Sequence, residues 1–189
     1  MDSPPRWRYF GGMKASPRKK PIVRICACQL PCRVPRKRLT QLAAFVAKAE
    51  GARLAEVDVA IVDNASMTGL NRRFLNHRGS TDVLSFDLSD SPAAGISAEI
   101  VLCGDVAVRQ GKLLGCSPQR ELMLYLVHGL LHLMGYEDSS IRGSVKMGAR
   151  QEELLREFLS QRRKRRISRR RFRPASQSSL HLTRTPRVG

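Results

Sequence analysis

Apolar residues recur along this chain in two periods, and the switches between them mark out its elements. Ile22 to Gln29 alternates apolar and polar positions and reads as a strand. From about residue 36 to 50 the period becomes that of a helix, with Leu42, Ala43, Phe45 and Val46 on one side and Gly51 as its stop. Leu54 to Val62 returns to alternation, with Val57, Val59 and Ile61 on one face. Ser66 to Asn76 predicts a short helix in which Leu70 and Phe74 stand four apart. Val83 to Leu88 and Ala98 to Val108 read as strands, joined by a Ser-, Pro- and Gly-containing loop at 89–97. Ser117-Pro118 is a helix start, with serine as cap and proline in the first turn. The helix it opens runs through the apolar stretch from Leu122 to Met134. A last helix spans about Ser144 to Leu159 and carries Val145, Leu154, Leu155, Phe158 and Leu159 before the basic tail begins. This order predicts an α/β (α+β) single domain, a mixed sheet of about four strands packed with helices. The helix ending near Met134 is then buried, and its C-terminal end opens into a cleft.

That helix carries two imidazoles. His128 and His132 are four apart, which puts them on one face with their Cβ atoms about 6 Å apart, close enough to chelate one ion. Gly135 offers a helix stop, and Asp138 follows six residues after His132, where a chain that folds back delivers its carboxylate to the same point. Two His and one Asp leave a coordination position for water, as catalytic sites do and structural ones do not. Two hydrogen-bonded core histidines are the competing reading. Gly129 speaks against it: a glycine in a helix interior costs about 1 kcal/mol, which suggests that space beside the site is needed. Two imidazoles among leucines also need polar partners, and a metal supplies one for each.

The residue between the histidines narrows the chemistry. A helical zinc peptidase carries His-Glu-x-x-His with the glutamate as general base, and here that position is Gly129. Mononuclear iron oxygenases also use two His and a carboxylate, but usually from the strands of a β-barrel. Metal-assisted hydrolysis of a substrate with its own negative charge fits better, because the ion acidifies its water and polarises a phosphoryl oxygen.

His-Gly-Leu-Leu-His-Leu-Met-Gly-Tyr at 128–136 resembles the His-Gly-x-Leu-His-Leu-x-Gly-Tyr signature of the YbeY family of bacterial metallo-endoribonucleases. Leu70-Asn71-Arg72 followed by Ser80-Thr81-Asp82-Val83-Leu84-Ser85-Phe86, and then Gly104-Asp105-Val106, are similar to further motifs of that family. The resemblance covers about residues 21–160 in order and spacing. It implies a single-strand-specific, metal-dependent endoribonuclease acting in ribosome maturation and quality control, including 3′-end processing of 16S ribosomal RNA. It further implies one Zn²⁺, with other divalent metals open, and ribosomal RNA and the ribosome as partners. The expected metal ligands are His128, His132 and Asp138.

Two departures from the family pattern stand out. Asp138 occupies the place of a third histidine, adding a negative charge and a harder donor. That should make the bound water less acidic and widen metal tolerance. The family also carries an Arg directly after an aromatic residue before the Thr-Asp motif, whereas Phe74 is followed by Leu75. Arg72, Arg73 and Arg78 are the candidate RNA-binding replacements, set against a plain solvated helix face. No general base is identifiable. Two other functions stay open: a ribosome-assembly or RNA-binding factor with a structural metal, and a metallohydrolase of another phosphoester or amide.

Charge changes the picture at the two ends. Of 189 residues, 34 are Lys or Arg and 16 are acidic, a formal net charge of +18. Residues 1–38 hold 11 basic residues and one acid, and residues 161–189 hold 11 and none. The middle, with 12 basic and 15 acidic residues, is mildly acidic. The expected organisation is a basic N-terminal extension at 1–20, a hydrolase domain at 21–160 and a disordered Arg-rich tail at 161–189. Such arms bind phosphate backbones by counterion release, and without an apolar moment they favour RNA over a membrane. No apolar run reaches 18 residues, so no membrane span is expected, and no secretory signal core is present. Arg6, Arg8 and Arg18-Lys19-Lys20 could suggest a transit peptide, but Asp2 and two early prolines weaken it. Recognisable core sequence begins soon after Met13, which marks an alternative start. Five cysteines, with no fourth ligand beside Cys26, Cys28 and Cys32, read as reduced thiols of a cytoplasmic protein. Oligomeric state is not legible.

Overall fold

The structure, a computed structural model, describes residues 22–27, 32–76 and 79–171. Strands β1 (Ile22–Ala27), β2 (Leu54–Val62), β3 (Val83–Asp87) and β4 (Ile96–Cys103) form one sheet in the order β1-β2-β4-β3. The first three in that order pair in parallel, and β3 runs antiparallel to β4 at the far edge. The expected mixed four-stranded sheet is therefore present. Among the described residues it is accompanied by α1 (Arg36–Ala49), α2 (Asn64–Leu75), α3 (Gly104–Leu113), α4 (Pro118–Leu133) and α5 (Ile141–Arg171).

Register decides which helix lies on which face. Ser85 pairs with Ile100 and Phe86 with Glu99, so these two pairs point to opposite sides. A Cβ built on Gly129 meets Ser85, Val83 and Ile100, which places α4 on the Ser85 side. Phe74 meets Phe86 edge-on at 5.1 Å, which places α2 on the other. With both faces covered, β4 is buried from Ile100 to Cys103 and reads as one continuous apolar run. Toward β1 the α2 side of the sheet is open, and Arg24 there bridges Glu56 and Asp58. Exposed pairs of this kind contribute at most about 1 kcal/mol each.

The centre of the core is α4. Its cap is the predicted one: Ser117 Oγ accepts from the Arg120 N–H, and Pro118 holds the first position. Leu122, Leu126, Leu130 and Leu131 are fully buried, and the helix touches α1, α3, α5, β3 and β4. Apolar on every side, it is a buried helix and not an amphipathic one. Truncating one of these leucines to alanine is expected to cost about 2–5 kcal/mol. No described helix is long and apolar enough to cross a membrane.

Two expectations are corrected. The strand expected over Ala98–Val108 ends at Cys103, and α3 begins at Gly104. Val106 and Ala107 are buried as helix residues, and Gly111 packs against the backbone of 116–118 so closely that a Cβ would lie 2.9 Å from the Cys116 carbonyl oxygen. A short apolar run shows too few positions to separate the two periods. On the last helix Val145 is exposed, and Met147 is buried in phase with Leu154, Leu155 and Phe158. Finally, the last helix, expected to end at about Leu159, runs on to Arg171. Extending an existing helix adds a hydrogen bond per residue without a new nucleus, and Arg, Lys and Gln are good helix formers. Residues 1–21 and 172–189, the N-terminal extension and the rest of the tail, lie outside the described residues.

Candidate metal centre

The site begins where α4 stops. Met134 leaves the helix and Gly135 takes φ +83°, a left-handed conformation that glycine adopts without penalty. The Gly135 N–H donates to the His132 carbonyl at 2.9 Å and the Tyr136 N–H to that of Leu131 at 3.0 Å. Those two bonds make a Schellman stop, which turns the chain back over the last helical turn. Asp138 then arrives beside the two histidines.

Both rings present Nε2 to one point. The two Nε2 atoms are 3.0 Å apart, and Asp138 Oδ2 lies 3.8 Å from that of His128 and 3.7 Å from that of His132. Each Nδ1 is occupied behind them. His132 Nδ1 lies 3.0 Å from the Tyr136 carbonyl oxygen, and His128 Nδ1 lies 3.0 Å from Gln151 Oε1 on α5. An acceptor at Nδ1 places the ring proton there and leaves Nε2 as a bare lone pair. Two lone pairs and a carboxylate thus face one another, an arrangement that repels unless a cation sits among them. Two nitrogens bound tetrahedrally at zinc-like lengths are about 3.4 Å apart, close to the spacing here. The polar partners behind the rings are those that orient metal-binding histidines in general. The negative end of the α4 dipole, in whose last turn His132 lies, adds to the preference for positive charge. The side chains of His128, His132 and Asp138 are 24, 34 and 46 % exposed, so solvent and substrate reach the point where they meet. The donor set fits one divalent ion, and it is the one cluster of this kind among the described residues.

A second, buried group holds this turn in place. The Tyr136 hydroxyl donates to Glu50 Oε2 at 2.9 Å, and Arg150 donates from Nε and its terminal nitrogen to Glu50 Oε1 at 2.8 and 2.7 Å. The Glu50 side chain, at the end of α1, is only 5 % exposed. Burial, reinforced by the bond to Glu50, pushes the Tyr136 phenol above its ordinary value. One carboxylate therefore ties α1, the metal turn and α5 together.

Gly129 has a different role from the one its spacing suggested. A Cβ there would lie 2.5 Å from Ser85 Oγ, 3.2 Å from Val83 and 3.3 Å from Ile100, so the room is needed against the sheet and not beside the metal. Arg72 and Arg73 are exposed in the last turn of α2, with the Arg73 guanidinium 5.4 Å from the Phe74 ring centre. They stand on the face of the sheet opposite α4, and the structure does not bring them to the histidines; Arg78 lies outside the described residues. Gln151, Glu50 and Arg150 were not singled out from sequence. Gln151 left a signal, a polar residue in the inward stripe of Met147, Leu154, Leu155 and Phe158.

The fold and site together define an α/β protein with an accessible metal-ligand cluster of two histidines and a carboxylate at the end of a buried helix. The family described as Endoribonuclease YbeY matches residues 30–159. Curated proteins of that name from Nocardioides sp. and Thermobifida fusca are 36 and 38 % identical over 128 residues. Those matches cover 63 % of this chain and 86 and 83 % of the two relatives. The solution structure of TM1509 from Thermotoga maritima is similar with a TM-score of 0.53 and 25 % identity, covering 76 % of this chain and 93 % of that one. This chain belongs to the YbeY endoribonuclease family. That makes it an RNA-cleaving hydrolase with a role in ribosomal RNA processing.

Proposed function

We propose that His128, His132 and Asp138 hold one divalent cation, Zn²⁺ in the first place, and that this centre cleaves single-stranded RNA. The setting proposed is ribosome maturation and quality control in the cytoplasm, including the 3′ end of 16S ribosomal RNA. The observation that carries the reading is the convergence of two Nε2 lone pairs and a carboxylate on one solvent-reachable point. A divalent ion held there supplies Lewis-acid polarisation of a phosphoryl oxygen and acidification of a water.

The chain's own residues do the positioning. Gln151 and the Tyr136 carbonyl fix both rings with Nε2 forward. Asp138 contributes a harder, negatively charged donor, which favours tolerance of harder ions than a third histidine would. Arg72 and Arg73, on the other side of the sheet, are proposed to touch RNA phosphates away from the cleaved bond. The ribosome is the proposed partner assembly.

Metal content and cleavage of a single-stranded RNA, measured on wild type, His128→Ala and Asp138→His, test the reading. Wild type is expected to bind metal and cut; His128→Ala should lose both, and Asp138→His should keep both. Cleavage that survives His128→Ala removes the metal mechanism. Bound metal without cleavage in the wild type points instead to an assembly factor with a structural ion.

A further inference from the structure

Two large apolar side chains stand in solvent just past the metal turn. Ile141 is 89 % exposed and Val145 68 %. They are four apart at the start of α5, which sets them side by side on one face of the helix, about 6 Å apart at Cβ. So exposed a pair adds almost nothing to the core. Its placement is what separates it from the scattered apolar residues of any protein surface.

Ile141 follows the ligand Asp138 by three residues, so no more than about 11 Å separates their Cα atoms. The first turn of α5 is also fixed against the ligand loop. Ser140 Oγ accepts from the Gly143 N–H at 3.0 Å and caps the helix, and the Ser144 N–H donates to the Ser140 carbonyl oxygen at 2.8 Å. Gly143 lies so close to the Glu137 carbonyl oxygen that a Cβ would run into it. Ile141 is therefore held in register with the loop that carries Asp138, and a strand whose phosphate reaches the cluster passes within a nucleotide or so of it. Ser139, Ser140 and Ser144 beside the pair are uncharged, and the neighbouring cations Arg142 and Lys146 already have partners. Of the parts of a ribonucleotide, only the base offers an apolar face to such a patch.

We propose that Ile141, backed by Val145, is a wedge that parts stacked bases of single-stranded RNA beside the bond to be cut. Isoleucine and similar apolar side chains enter base steps in this way and unstack them. Parting the stack next to the scissile phosphate frees that phosphate to meet the metal centre. In a duplex the same step is held by pairing as well as by stacking, so the wedge favours unpaired strands. This role rests on the endoribonuclease reading of the metal centre and adds how the strand is opened there.

Single-stranded RNAs carrying 2-aminopurine, a base that is dim when stacked and bright when unstacked, test this in the metal-loaded full-length chain. The probe is moved through the strand one position at a time, and its fluorescence is read on mixing, before cleavage. Wild type is expected to brighten it at the one or two positions flanking the cleaved bond. The double variant Ile141→Ser with Val145→Ser should bind without brightening it, with metal content and melting temperature unchanged. Its kcat/KM should fall about tenfold, the population lost when one stacked step is no longer held open. Ile141→Leu, still apolar, should keep both the brightening and the rate. Wild type that cuts the RNA without brightening any position overturns the wedge alone. Brightening that persists in the double variant overturns it too and leaves the patch to a protein partner. So does a loss of metal in that variant, which would make the pair a support of the ligand loop. Because the fluorescence reads binding, wild type that brightens the probe without cutting it sinks the catalytic reading and supports the wedge.

Discussion

A β-carbon at position 129 would meet a hydroxyl and two methyl groups of the sheet at once. Gly129→Ala therefore sets a helix-propensity gain of about 1 kcal/mol against an overpacking cost of about 1–3 kcal/mol. The expected result is a net loss of up to about 2 kcal/mol in denaturant unfolding, with most of it recovered in the double variant with Ser85→Gly. A single variant as stable as wild type would mean that the Ser85 hydroxyl swings aside at no cost. The glutamate of a helical peptidase is thus excluded here by volume as well as by identity. Gln151→Ala tests the support behind His128: metal affinity, read by competition with a chelator, should fall about 10–100-fold. Unchanged affinity would show that packing alone orients the ring. His128, His132 and Asp138 were legible because they lie within eleven positions of one another, so spacing and a helix stop sufficed. Gln151 comes from another helix and Glu50 is 86 residues from Tyr136, and no local period reports such pairings.

At the level of elements, Glu50 joins α1 to the metal turn and to α5, and both of its donors come from far along the chain. Arg150→Ala removes its counter-charge and leaves a buried carboxylate with one phenol. Breaking a buried pair in this way costs about 3–5 kcal/mol, and the partial exposure of Arg150 argues for the lower end. Thermal unfolding checks it; a loss below about 1 kcal/mol would mean that water hydrates Glu50 freely. Strands β1 to β3 and helices α1, α2 and α4 follow the periods visible along the chain, each within a few residues. The failures share one cause. Where an element is buried on both sides, as at the junction of β4 and α3, nearly every position is apolar and the period vanishes. Where an element has no apolar side, as in α5 beyond Ser160, there is again no period to read.

Over the whole molecule, charge and fold are segregated. The described core includes Leu154, Leu155 and Phe158 of α5, which close the domain, whereas the greatest concentration of basic residues comes after them in sequence. Deleting residues 161–189 should leave the melting temperature nearly unchanged while weakening RNA binding and flattening its salt dependence. Binding unaffected by the deletion would assign RNA contact to the domain alone. Gln151 and Arg171 belong to one unbroken helix, and Gln151 is also a support of the metal cluster. Seating of α5 and occupancy of the cluster are therefore linked equilibria, and linkage is reciprocal. An ion raises the free energy needed to lift the helix from the domain; anything that clamps the helix, a nucleic acid strand included, raises affinity for the ion by the same factor. The cofactor is in this sense a thermodynamic latch on the last helix as well as a reagent.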